Sequence, residues 1–152
     1  MQESIMGIMH MALDQARQAG DRGEIPVGAI IADAQGQIIA AAGNQVEALC
    51  DASAHAEMLV MRAACLAQGQ KFLENCDLYV TLEPCPMCAG AIALHRLRRV
   101  IFAAYDPKSG GVEHGPRIFD QPTCHHRPEI IGGVEEQAAA SLLTGFFQRL
   151  RS

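Results

Sequence analysis

Apolar residues recur at two spacings along this chain, and the switching between them sets the fold class. Ile5, Ile8, Met9, Ala12 and Ala16 repeat every three or four positions and Gly20 follows, the stripe of an amphipathic helix. Val27 to Ala32 and Ile38 to Ala42 are short apolar runs, read as strands with Gln35-Gly36-Gln37 as the turn between them. Polar positions from Gln45 lead to Ser53, an expected N-cap, and to a helix over about Ala54 to Gln68 that offers Met58, Val60, Met61, Ala64 and Cys65 for burial. Asp77 to Thr81 alternates around Leu78-Tyr79-Val80 and predicts a strand. Cys85 opens a further helix through Ala89, Ile92 and Leu94, with Pro86 in the tolerated first turn. Arg99 to Ala104 predicts another strand. Tyr105 to Pro128 carries seven glycines and prolines and reads as a loop, too long in a compact domain to lack a role. Ile130-Ile131 adds a short strand. Glu135 to Leu150 closes the chain as a helix with Leu142, Leu143, Phe146, Phe147 and Leu150 on its apolar side. The order implies an α/β fold: a mixed central sheet of about five strands with helices packed on its faces, in one domain over residues 1–152.

Composition narrows the class without naming a chemistry. The 152 residues are 49 % hydrophobic, enough for a packed core. No apolar run approaches the length of a membrane span, and Met1-Gln2-Glu3-Ser4 lacks the basic start of a signal peptide, so a soluble cytoplasmic protein is expected. All six cysteines are expected to be reduced. The net charge of −5 argues against indiscriminate nucleic-acid binding, but it is unevenly spread: residues 1–95 carry four basic and eleven acidic side chains, residues 96–152 eight and six. Any contact with phosphate must therefore be local.

Two short clusters carry the candidate chemistry. Ala54-His55-Ala56-Glu57 offers an imidazole and a carboxylate, and Pro84-Cys85-Pro86-Met87-Cys88 offers two thiols three residues apart, which a helix turns to the same side. One nitrogen and two sulfurs make three tetrahedral zinc ligands and leave a fourth position open, the mark of a catalytic rather than a structural site. Glu57 then stands as a non-ligand carboxylate beside an activated water. Singly, each residue has a plainer reading: His55 and Glu57 as first-turn residues of a helix, Cys85 and Cys88 as a redox pair. Together, on two helix starts, they favour one zinc ion per chain. Cys124, His125 and His126 read as loop residues rather than a second metal site.

The runs Ile25-Pro26-Val27-Gly28-Ala29, Asn44, Ala54 to Glu57 and Tyr79 to Ala91, with Asp106-Pro107-Lys108-Ser109-Gly110 and the Phe-rich last helix, resemble the bacterial tRNA-specific adenosine deaminases of the cytidine-deaminase-like superfamily. The resemblance implies a three-layer α/β/α fold, a homodimer, and conversion of adenosine to inosine at the wobble position of a tRNA anticodon stem-loop. It implies that His55, Cys85 and Cys88 hold zinc and that Glu57 moves the proton. It further implies that Asn44 contacts the nucleoside, that the Ala56 backbone and Pro84 line the base pocket, and that Asp106 and Lys108 border the RNA cleft. Phe146 and Phe147 read first as core, with one ring, Phe147, a candidate to edge the pocket. Ala52-Ser53 departs from the Pro-Thr common in this family. The zinc motif is shared across the superfamily, so deamination of a free base or nucleoside such as guanine or cytosine stands beside the RNA reading. A non-catalytic, zinc-stabilised partner subunit is the third possibility.

Overall fold

The computed structural model describes residues 4–151. Helix α1 (Ile5–Asp21) is capped by Ser4, whose hydroxyl accepts from the Gly7 N–H. Strands β1 (Gly28–Asp33) and β2 (Ile38–Gly43) form an antiparallel hairpin around Gly36, which takes a positive φ in the turn. There follow α2 (Ala56–Gln68), β3 (Cys76–Leu82), α3 (Pro86–His95), β4 (Arg99–Ala104), β5 (Glu129–Ile131) and α4 (Glu136–Arg151). The sheet order is β2-β1-β3-β4-β5, with β1 antiparallel to both neighbours and β3, β4 and β5 mutually parallel. This is the mixed five-stranded sheet expected.

Three layers follow from the strands' two-sided burial. β1, β3 and β4 are almost continuously apolar because both of their faces are covered. Ile30, Tyr79 and Ile101 point toward Ile8, Met9 and Leu13 of α1 and Ala139 of α4. Ala29, Ile31, Leu78, Val80, Val100 and Phe102 point the other way, to Val60, Met61 and Ala64 of α2 and Ala89 and Ile92 of α3. Gly28 permits α1 to lie flat on β1: a Cβ there would stand 2.1 Å from the Ala12 carbonyl oxygen and 2.5 Å from the Ala16 nitrogen.

Three expectations change. Ser53 does not cap α2, because its N–H and hydroxyl both donate to Asp51 Oδ1, 2.9 and 2.7 Å away, in a tight local turn. The helix instead starts at Ala56 with His55 at the N-cap. Cys85 likewise is the N-cap of α3 and not its first helical residue. The stretch 105–128 is not wholly irregular: Ile118–Asp120 form a 3-10 turn that buries Phe119 under the α2/α3 layer. Among the described residues, no helix is long and apolar enough to cross a membrane.

Candidate active site

The site forms where the carboxyl end of β3 meets the first turns of α2 and α3, the edge at which open α/β sheets hold ligands. Both helices begin with a metal-ligand type of residue at the N-cap, where Ser, Thr, Asp or Asn is usual, and neither side chain caps its own helix. The capping function is given up and the side chains turn toward each other. His55 Nδ1 lies 3.6 Å from Cys85 Sγ and 3.5 Å from Cys88 Sγ. The three ligand atoms lie within 4.8 Å of one another. Tetrahedral zinc, with Zn–N of about 2.05 Å and Zn–S of about 2.3 Å, requires N···S edges of about 3.5 Å. The donor set and its spacing therefore fit zinc. The Ala52 backbone adds a small pull toward the protonated imidazole.

Electrostatics at the cluster favour a cation. The Cys85 thiol is pushed down to about 4, first by a hydrogen bond from Cys88 and then by the one from His55. Cys88 is pushed up, because it donates to the Cys85 thiolate and is buried. Without an ion the pair thus holds one proton and one negative charge, and a divalent cation would displace that proton. Glu57 sits in the first turn of α2, 4 % exposed, and takes no part in the donor cluster. Burial pushes its carboxyl up to about 7; its own backbone N–H and the His55 charge oppose this only in part.

A cleft of about 830 Å³ opens over these residues. His55, Glu57 and Cys85 form its floor, while Asn44, Asp106, Lys108 and Phe147 lie in its walls. Asn44 is buried, and its Oδ1 accepts from the Ala56 N–H at 2.7 Å. A backbone N–H can pair only with the oxygen of the amide, so the orientation is fixed and Nδ2 is the remaining donor. Ala56 and Pro84 are buried behind the wall and are not among its lining residues. Of the aromatic pair on α4, Phe146 is buried and Phe147 is 40 % exposed at the cleft mouth, joined by Tyr105 from the opposite rim. Cys124 donates to the His126 carbonyl and His126 contacts the Leu97 carbonyl, which ties the loop to the α3–β4 connection; His125 is exposed. Among the described residues, only His55, Cys85 and Cys88 form a group suited to a metal ion.

Sequence reasoning passed over Glu24 and Glu83, two buried carboxylates that organise the cleft walls. Glu24 accepts from the N–H groups of Glu47 and Ala48. Burial alone would push the Glu83 carboxyl up, yet hydrogen bonds from the Asp106 N–H, the His114 ring and the Glu113 and Val112 N–H groups hold it below the usual glutamate range. The one available signal was a charged residue directly after a largely apolar strand.

Residues 2–104 match the family model for the cytidine and deoxycytidylate deaminase zinc-binding region. The tRNA-specific adenosine deaminase of Agrobacterium fabrum is 50 % identical over 143 residues, which span 94 % of this chain and 93 % of that one. A solved tRNA:A34 deaminase, studied for A-to-I editing at the wobble position, is 51 % identical with a TM-score of 0.87, covering 89 % of this chain and 97 % of its own. The guanine deaminase of Bacillus subtilis is 30 % identical with a TM-score of 0.66, over 98 % of this chain and 94 % of that one. A buried carboxylate beside a nitrogen-and-two-sulfur donor set, in a chain matched end to end at this level of identity, places it in the tRNA-specific adenosine deaminase family of zinc-binding deaminases.

Proposed function

We propose that this protein hydrolytically deaminates adenosine to inosine at the wobble position of a tRNA anticodon stem-loop. The observation that carries the reading is Glu57, buried but outside the donor cluster, at the floor of a cleft wide enough for a nucleotide extruded from RNA. His55 Nδ1, Cys85 Sγ and Cys88 Sγ would hold one zinc ion per chain. Zinc, when bound, supplies a water acidic enough to act as a nucleophile near neutral pH. Glu57 accepts the proton from that water. It returns that proton to the purine ring nitrogen, then takes the proton of the new C6 hydroxyl and delivers it to the departing ammonia. A C–O bond forms at C6, the C6–N bond breaks, and water plus adenosine gives inosine plus ammonia. Asn44 Nδ2 donates to the nucleoside, Asp106 and Lys108 flank the RNA backbone, and Phe147 offers a ring against a neighbouring base. The substrate puts the protein in the cytoplasm.

Free-base deamination uses the same floor. The cleft volume lies in the upper part of the range for drug-sized ligands and is roomier than one planar base requires, which supports the RNA substrate. The test is incubation of zinc-loaded protein with a stem-loop carrying wobble adenosine, beside free adenosine, guanine and cytosine. Inosine in the sequenced RNA is expected. Ammonia from a free base with none from RNA would overturn the assignment, and full activity of Glu57→Gln would overturn the enzymatic reading.

Pairing of two copies fits the outer face of α3, where Met87 and Leu94 are exposed and Gly90 between them has nothing within 4 Å of a built Cβ. Sedimentation of wild type is expected to give a dimer, and Leu94→Glu a monomer.

A further inference from the structure

Glu83 stands one residue beyond β3 and two before Cys85, and its side chain is fully buried. A buried carboxylate is costly unless donors surround it. Here all the donors come from the rim loop. Oε1 accepts from the Asp106 N–H at 3.0 Å and from His114 Nδ1 at 2.8 Å. Oε2 accepts from the N–H groups of Val112, Glu113 and His114 at 3.2, 2.9 and 3.1 Å. The carboxylate thus gathers five hydrogen bonds from residues 106 to 114 and supplies the centre that this stretch lacks, since it contains no helix or strand.

The loop is also pressed against the turn that carries Cys85. The Gly111 N–H donates to the Pro84 carbonyl at 2.8 Å, and a Cβ on Gly111 would stand 2.6 Å from the Pro86 nitrogen. A Cβ on Gly110 would stand 2.4 Å from Glu83 Oε2, so glycine is required where the chain wraps the carboxylate. The same loop presents Asp106, Lys108 and Ser109 to the cleft.

The geometry points to Glu83 as a positioning residue that sets substrate recognition: it fixes the 105–114 rim against the ligand-bearing turn, so that the rim meets the RNA already in place. It lines the cleft wall but is not part of the donor cluster. Its removal frees the rim while His55, Glu57, Cys85 and Cys88 keep their own helical supports. Rim contacts made equally in the ground and transition states act on KM, not on kcat. The inference rests on the deaminase reading for its kinetic part only.

The experiment compares zinc-loaded wild type with Glu83→Gln, whose NH₂ group faces backbone donors instead of accepting from them. Amide hydrogen exchange at Asp106, Val112, Glu113 and His114 is expected to speed up at least tenfold, with α2 and β3 unchanged and zinc retained. On the wobble-adenosine stem-loop, KM is expected to rise at least tenfold, with kcat within threefold. Glu83→Asp, which keeps the charge, is expected to recover part of the loss. Unchanged loop exchange, or loss of kcat and zinc without a KM effect, overturns the proposal. If Glu83→Gln does not fold, His114→Ala removes the ring's bond to Oε1, one of the five, and the same readouts apply with smaller shifts. Wild type inactive on RNA would sink the functional reading, while the exchange experiment would still decide the role of Glu83.

Discussion

At residue 57 a carboxyl group is held away from water, and the same burial has two consequences. A buried carboxyl at the cleft floor, outside the donor cluster, is a positioned proton carrier, so Glu57→Gln is expected to keep zinc and fold but lose at least about 10²-fold in kcat. Single-turnover deamination together with metal analysis checks this. The second consequence concerns stability. The folded-state value lies above the ordinary 4.5, so the contribution to stability is fully present below pH 4.5, where both states are protonated. It is lost as pH rises through about 7, where the folded state must finally ionise. The loss is of the order of 3 kcal/mol. Cys85 and Cys88 titrate as well, so zinc-stripped wild type is compared with zinc-stripped Glu57→Gln, which removes the glutamate's own titration and leaves both thiols in place. The difference in unfolding free energy between the two proteins is expected to grow by about 3 kcal/mol in favour of the glutamine variant between pH 4.5 and 8, as read by denaturant titration. A difference that stays flat across that range would remove burial as the cause.

At the scale of elements, the cluster is two helix N-caps whose usual capping bonds are missing. The helices are aligned by packing on the sheet, and the ligands bring their starts together. Metal binding should therefore report on both helices. Chelation of zinc, or Cys88→Ala, is expected to cost at least about 3 kcal/mol, a fall of roughly 6–12 °C in Tm for a chain of this size. Calorimetry of holo, stripped and variant protein checks it; coincident melting of all three would show that the helices need no ion. Gly28 tests a different contact. Gly28→Ala forces a methyl group into the α1 backbone and is expected to destabilise by about 3 kcal/mol or more, with α1 exchanging fastest. The elements themselves were legible: the strands carry β-branched or apolar runs, α1, α2 and α4 carry stripes and α3 is apolar nearly all round, so the boundaries moved by a residue or two. What moved further had a local cause. Ser53 reads as an N-cap until Asp51 is seen to occupy it. The histidine, the two cysteines and Glu57 were legible because ligand chemistry imposes a spacing along the chain. Glu24 and Glu83 were not, because their partners lie 23 to 31 residues away and, the His114 ring apart, are backbone groups, which leave no mark on the sequence. The α1 contact of Gly28 was hidden for the same reason.

For the molecule as a whole, an acidic protein must meet an anionic substrate. The net −5 disfavours RNA, and at physiological salt charges of either sign act only within a Debye length of about 8 Å, so the eight basic side chains of residues 96–152 count only where they come close to phosphate. Among the described residues that line the cleft, Lys108 is the single lysine or arginine, and Arg149 and Arg151 lie in the last turn of α4 next to the lining residue Leu150. Binding should therefore draw on few phosphate contacts and depend on salt only weakly, with recognition resting on the shape of the cleft and on the extruded base. Lys108→Ala is expected to raise KM for the stem-loop about three- to tenfold and to flatten the log–log salt dependence by roughly 0.7, the single-strand value for one phosphate, with kcat within twofold. Measuring kcat/KM from low to moderate salt for both proteins decides it. An unchanged slope would mean that Lys108 faces no phosphate and that the rim held by Glu83 recognises RNA through its backbone and through Asp106 instead. A slope several times steeper in wild type would mean that cations beyond this cleft, from α4 or from a second copy of the chain, carry the RNA.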